Sequence, residues 1–334
     1  MTGGRALGLV LVLVTGLTAC GGAEREAVTI YSGRTSNLMA PLLEQFVDQS
    51  GIDVDVRYGD SAELAVLIEQ EGERTPADVF LSQSPGATGF LAGEGRLAPL
   101  DQAVLDLVDE RFRNAQGLWV GASGRQRVLV YNSELIEEDA LPTSVFDVTD
   151  EPYAGRVAVA PSNGSFQDFV TAMTITEGED VTRGWLEALV ATDAPTYANN
   201  NAIVEAVGRG EVPMGLVNHY YNHRFIDEDP SLPSRNHLFD GDDIGALLIA
   251  SSVSIIEGSD VTEEARQLVE FLLSEDAQRY FAEETFEYPL AQGVQPAGDI
   301  PPLDTIDVPA FDIDSLGGGL ERTLELIRES GLAG

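Results

Sequence analysis

The chain has 334 residues, 43% of them hydrophobic, which is ample apolar material for two compact domains. Its 56 acidic residues face 19 basic ones, every one an arginine, for a net charge of −37. So negative a surface excludes nucleic acid and anionic lipid as partners, and it suits a protein kept soluble in a salty or alkaline exterior.

The chain opens with Arg5 and the apolar run Ala6 to Leu17, followed by Thr18-Ala19-Cys20. A charged start, a short apolar stretch and small residues before a cleavage point mark an export leader over 1–19, too short to span a bilayer as a helix. Cys20 is the only cysteine, so no internal disulfide is possible. Leu17-Thr18-Ala19-Cys20 resembles a bacterial lipobox. That makes Cys20 the lipidated first residue of the mature protein and 20–26 a tether, and it places the protein on the outer face of the cell membrane, held there only by its lipid.

Beyond the tether, Ala27 to Tyr31 reads as a strand. Asn37 to Gln49 carries Leu38, Met39, Leu42, Leu43 and Phe46 at helical spacing, and Gly51 stops it. Ile52 to Val56 alternates as a half-buried strand, Ser61 caps a second helix, and Asp78 to Leu81 is a third strand. This β-α-β-α-β succession predicts a parallel, doubly wound sheet, whose ligands sit in loops beyond the carboxyl ends of the strands.

A second block follows. Arg127 to Tyr131, Arg156 to Ala160 and Met214 to Val217 read as strands; Ser165 to Met173, Val181 to Leu189 and Ala202 to Arg209 read as helices. Ala246 to Ser254 is an apolar strand returning to the first block. Helices are predicted over Thr262 to Leu273, Glu275 to Glu283 and Leu320 to Ser330, with an extended linker from Pro301 to Pro309. The expected architecture is α/β: two doubly wound lobes joined by hinge crossovers, with a ligand cleft between them. Residues 27–127 plus 247–300 form the first lobe, and 128–246 plus 301–334 the second. Such lobes make a closing binding protein.

One short stretch carries the chemistry. Met214 to Val217 leads into Asn218-His219-Tyr220-Tyr221. Adjacent residues on a strand point to opposite faces, so one core face does not use both rings. A strand ending here and opening into a loop lets both hydroxyls converge on one small object. Phenolate oxygen is a hard, anionic donor that suits ferric iron, and a bound cation lets a phenol ionise at neutral pH. His219 and His223 stand i, i+4 but straddle the predicted strand end, and Arg125 reads as a surface or interlobe residue.

Several motifs together resemble one family. They are Tyr31-Ser32-Gly33-Arg34, Thr75-Pro76-Ala77-Asp78-Val79-Phe80, Gly124-Arg125-Gln126-Arg127-Val128, Ser165-Phe166-Gln167-Asp168-Phe169, Ala202 to Val207, the tyrosine pair, and Glu287-Tyr288-Pro289-Leu290. In order and spacing the chain is similar, from Val28 to about Leu332, to ferric-iron-binding proteins of bacterial ABC importers, two-lobed periplasmic-type substrate-binding proteins of type II.

The resemblance implies phenolate ligation by Tyr220 and Tyr221 and capture of Fe(3+) for an importer's permease and ATPase subunits, by a monomer. Some relatives have a histidine where Thr35 stands, a glutamate at Gln83, or a third tyrosine at Asn163. These residues are neutral here, and two phenolates leave most of an octahedral shell to a synergistic anion, carbonate or phosphate, or to water. That anion is expected at Arg127 and at the helix start Asn163-Gly164-Ser165, where partial positive charge favours it, with Asn200 nearby. Arg34, Thr35, Gln83 and Tyr197 are expected to line the cleft. Asn199 to Asn201 read equally as a loop and helix cap.

No Gly-x-Ser-x-Gly elbow, triad order, phosphate loop or dinucleotide glycine pattern is present, so no enzyme is expected. The competing reading is a protein of the same fold for an organic anion, phosphonate, thiamine or sugar, with the tyrosine rings stacking on the ligand.

Overall fold

The structure, a computed structural model, describes residues 27–291, 293–298 and 300–332. The leader, Cys20 and the 20–26 tether lie outside the described residues. Among the described residues no helix is long and apolar enough to cross a membrane.

The first lobe follows the expected alternation: β1 (Val28–Ser32), α1 (Ser36–Ser50), β2 (Val54–Tyr58), α2 (Ser61–Glu71), β3 (Val79–Ser82), α3 (Pro85–Gly93), β4 (Leu97–Ala98) and the short α4 (Gln102–Leu105). β1 pairs in parallel with both β2 and β3. α1 buries the predicted face, Leu38, Met39, Leu42, Leu43 and Phe46, and ends where Gly51 turns left-handed at φ 68° and returns its N–H to Val47. Ser61 does not cap α2. Asp60 holds that position, and Ser61 Oγ instead accepts the Gln83 N–H at 2.9 Å.

β5 (Val120–Asn132) is longer than the predicted strand and buried throughout. The second lobe adds β6 (Val157–Ala158), α5 (Gly164–Glu177), α6 (Glu179–Ala191), α7 (Asn200–Gly208), β7 (Met214–Asn218), α8 (His219–Glu228) and β8 (Ser234–His237). β9 (Leu248–Ile256) returns to pair antiparallel with β3 and β5, as the apolar run at 246–254 suggests. α9 (Thr262–Leu272), α10 (Glu275–Glu283), β10 (Tyr288–Pro289) and α11 (Leu320–Ser330) complete the chain.

The central path of the sheet runs β2-β1-β3-β9-β5-β7-β6. β5 changes partner between consecutive residues: Gln126 pairs with Leu248 of β9, whereas Arg127 pairs with Asn218 of β7. The lobes therefore join along one buried strand, and its residues 125–127 stand at the junction. α5 lies along the same junction, which is why the ten residues from Gly164 to Met173 are all buried rather than one stripe. The larger core gathers Trp119, Val128, Leu129, Phe166, Phe169 and Trp185; a smaller one gathers Tyr31, Ile68, Phe80 and Leu91.

Candidate functional site

β7 ends at Asn218 and α8 begins at once, with His219, Tyr220 and Tyr221 in its first turn. The loop expected at the tyrosines is thus a helix N-terminus. Consecutive helical residues diverge by about 100°, not 180°, so the two rings can lie on the same side. They stack with centroids 4.0 Å apart and planes at 29°, and both are buried.

The Tyr221 hydroxyl accepts a hydrogen bond from Gln83 Nε2 at 3.1 Å, reaching over from the end of β3. The Tyr220 hydroxyl has no hydrogen-bond partner among the described residues. Burial pushes the Tyr220 phenol well above its ordinary value; Tyr221 adds to this and Arg34 opposes it. Tyr220 therefore keeps its proton at neutral pH until a stronger positive charge arrives.

Three arginines surround the pair. Arg34, just after β1, forms a two-point ion pair with Glu287, NH1 to Oε1 at 2.7 Å and NH2 to Oε2 at 2.5 Å. Burial opposes the Arg34 charge, but Glu287, with Tyr220 and Tyr221, more than offsets this and raises its pKa. Of the two readings of Arg125, surface or interlobe, the surface one fails: it is fully buried beside the β5 junction, 3.9 Å from Glu287, and donates to the Ala250 carbonyl at 3.3 Å. Its Nε and NH1 have no hydrogen-bond partner among the described residues. Arg127 reaches Asn218 Oδ1 at 3.5 Å and lies 5.3 Å from the Phe169 ring centroid, with NH2 unpaired among the described residues. Burial lowers Arg127 to about 9, against the pull of Tyr221.

The second group lies at the start of α5. Asn163 caps it, its Oδ1 accepting from Ser165 N at 3.1 Å and Ser165 Oγ at 2.6 Å. Asn200 Nδ2 approaches the same Asn163 oxygen at 3.4 Å and Ser165 Oγ at 3.5 Å. Asn199 is the cap of α7, whereas Asn200 lies in its first turn and is buried. Gly164 faces the first lobe so closely that a Cβ there would stand 3.3 Å from Ser84 Cβ.

Two expected cleft residues stand apart. Thr35 is exposed at the N-cap of α1 and donates to Asn37 Oδ1 at 2.5 Å. Tyr197 is half-buried against the larger core, its N–H on the Val159 carbonyl at 2.9 Å. The histidines do not straddle a strand end. Both are on α8 with rings 6.0 Å apart, and His219 Nδ1 accepts the Gln126 N–H at 3.1 Å. Burial lowers His219 to about 3, so its imidazole is neutral. Among the described residues no cluster of three or more His, Cys, Asp or Glu is placed to hold a metal ion. A hard cation held in this cleft would therefore depend on the phenols.

Sequence reasoning missed Glu287 and Asp168 as members of the site, although both lie inside the quoted motifs. Buried Asp168 accepts from Ser84 Oγ and from the Gly86 N–H at 3.3 Å. The chain's alternating pattern locates the elements, but a pair 253 residues apart in sequence leaves no local signal.

Two α/β lobes meeting at a buried polar site on their strand junction have the architecture of a solute-binding protein. Residues 74–313 match the family described as bacterial extracellular solute-binding protein, and the chain belongs to it. It is 30% identical to the Fe(3+)-binding periplasmic protein of Serratia marcescens over 98% of each chain. It is 29% identical to a major ferric iron-binding protein of Neisseria meningitidis over 96% of this chain and 97% of that one. Iron-bound HitA from Pseudomonas aeruginosa superposes with a TM-score of 0.87 at 34% identity, covering 91% of this chain and 99% of that one.

Proposed function

We propose that this protein is an extracytoplasmic lipoprotein that captures ferric iron in the cleft and delivers it to the permease and ATPase subunits of an ABC importer. The observation that carries the reading is the stacked, buried pair Tyr220 and Tyr221 at a helix N-terminus, close to three arginines and with one hydroxyl unpartnered among the described residues. The family's named iron-binding relatives support the same cargo.

Ferric iron would be bound by two phenolates, its charge displacing the proton that burial holds on Tyr220. Arg34, Arg125 and Arg127 against Glu287 and Asp168 leave one positive charge when all are ionised. A ferric ion on two phenolates adds another. A dianion such as carbonate or hydrogen phosphate cancels both, and Arg127 and the α5 start at Asn163, Gly164 and Ser165, with Asn200, offer donors for it. Gln83 would orient Tyr221, and Arg34 would steady Tyr220.

The lobes are assigned as 27–127 plus 247–300 and 128–246 plus 301–334, with lipid on Cys20 after removal of 1–19, and the protein acts as a monomer. Titrating ligand-free protein with ferric citrate tests the reading. A visible phenolate-to-iron charge-transfer band that saturates at one equivalent supports it. Colourless protein that instead binds an organic anion on the tyrosine rings supports the competing reading.

A further inference from the structure

Asp168 lies on α5 of the second lobe, yet its hydrogen bonds go to the first lobe. α3 begins with Ser84 as N-cap and Pro85 as its first residue, so Gly86 carries the first free N–H of the helix. That N–H donates to Asp168 Oδ1 at 3.3 Å, and the Ser84 hydroxyl donates to the same oxygen. A carboxylate at a helix N-terminus meets both unpaired N–H groups and the positive end of the helix dipole. Here it comes from the opposite lobe, 82 residues away from Gly86. The fit is close: a Cβ at Gly86 would stand 2.7 Å from Asp168 Oδ1.

We infer that Asp168 is an interlobe latch, a positioning residue that caps α3 only when the cleft is closed and so sets how long the cargo is held. The inference rests on the iron reading for its cargo but not for the closure itself. Asp168 Oδ2 has no hydrogen-bond partner among the described residues, and the charged groups acting on the carboxylate are Arg125 and Arg127 of β5. The latch thus couples the cationic floor of the cleft to the grip of one lobe on the other. Hinge opening would return Asp168 to water and leave the Gly86 N–H to solvent.

Burial pushes Asp168 up to about 7, with Ser84, Arg125, Gly86 and Arg127 opposing. In an open cleft a solvated aspartate titrates near ~3.9. The closed form therefore binds a proton more tightly than the open one. Closure is favoured as pH falls through 7 and weakens as pH rises toward it, while Arg127, lowered only to about 9, keeps its charge over this range.

Small-angle scattering of the ligand-free full chain, paired with the rate of iron loss to excess chelator, tests the latch. Asp168→Ala should shift scattering toward the open form and speed iron loss by ~10- to 100-fold, without moving the colour of the complex. Asp168→Asn keeps the Oδ1 acceptor, so it should stay mostly closed but lose the wild-type fall in closure between pH 5 and 8. Wild-type scattering and release in Asp168→Ala overturn the latch. Should that variant not fold, an unchanged pH profile in Asp168→Asn overturns it instead. Scattering that shifts in a protein giving no coloured complex rejects the iron reading and keeps the latch; a coloured complex with unchanged scattering and release does the reverse.

Discussion

The Arg34 guanidinium grips both oxygens of Glu287 and holds its carbon 5.9 Å from the centroid of the Tyr220 ring. Glu287 thereby holds a cation beside a phenol whose hydroxyl is otherwise unpartnered among the described residues. Both side chains of the pair are essentially inaccessible, at 1% and 0% exposure. Removing Glu287 leaves the Arg34 charge buried without its carboxylate. Glu287→Ala should destabilise the fold by about 3–5 kcal/mol in urea unfolding. Replacing both residues by apolar ones of similar size should recover most of that loss while still weakening iron binding. Equal stability of Glu287→Ala and wild type would contradict the geometry.

Iron affinity should fall with acid. The Tyr220 phenol is raised by burial, so it is protonated in the ligand-free cleft and iron must displace that proton. Lowering pH favours the proton over the metal. Between pH 8 and 7, affinity corrected for the competing chelator's own titration should drop by about tenfold per pH unit, the slope for one displaced proton, and less steeply below pH 7, where closure takes up a proton on Asp168. A flat profile means that Tyr220 is not a ligand.

Arg127 stands at the residue where β5 changes partner, with its NH2 unpaired among the described residues. If it holds the outer oxygens of a carbonate-like dianion, Arg127→Gln should weaken iron retention about ten- to a hundred-fold. The loss should be largest when bicarbonate is limiting, and excess anion should rescue part of it. Matching affinities for variant and wild type in bicarbonate-free buffer would place the anion elsewhere.

Cys20 is the only cysteine of the chain, and its assignment as the lipid anchor rests on the leader pattern around it. Cys20→Ser should move the protein from the membrane fraction into the medium or periplasmic extract without altering iron binding. An unchanged membrane fraction refutes lipidation.

The fold was legible because its elements are locally marked. The α1 stripe, the Gly51 stop and the alternation of strands with helices sit in windows of ten to twenty residues, and each appears where the pattern put it. What escaped was decided by distance in sequence. Tyr220 and Tyr221 were singled out, yet as a loop, because the run ending at Val217 reads as a strand and nothing local shows that α8 starts one residue after it ends. Arg125 reads as a surface or interlobe residue; it is buried at the junction, where Glu287, from a segment beyond α10, and the Ala250 carbonyl face its guanidinium. Asp168 looks like a polar residue on a helix face, and its partners at the start of α3, Ser84 and Gly86, lie 84 and 82 residues away in sequence. Thr35 follows a matched motif, but as the N-cap of α1 its side chain turns to Asn37 and solvent.

The central claim is that both phenols carry the metal, and resonance Raman spectra excited in the visible band test it most directly. The account predicts ring modes of iron-bound phenolate in the wild-type complex. Those modes should be weakened in Tyr220→Phe and Tyr221→Phe and absent from the double variant, which should retain the wild-type circular dichroism. A double variant that keeps both the visible band and the phenolate modes would contradict it.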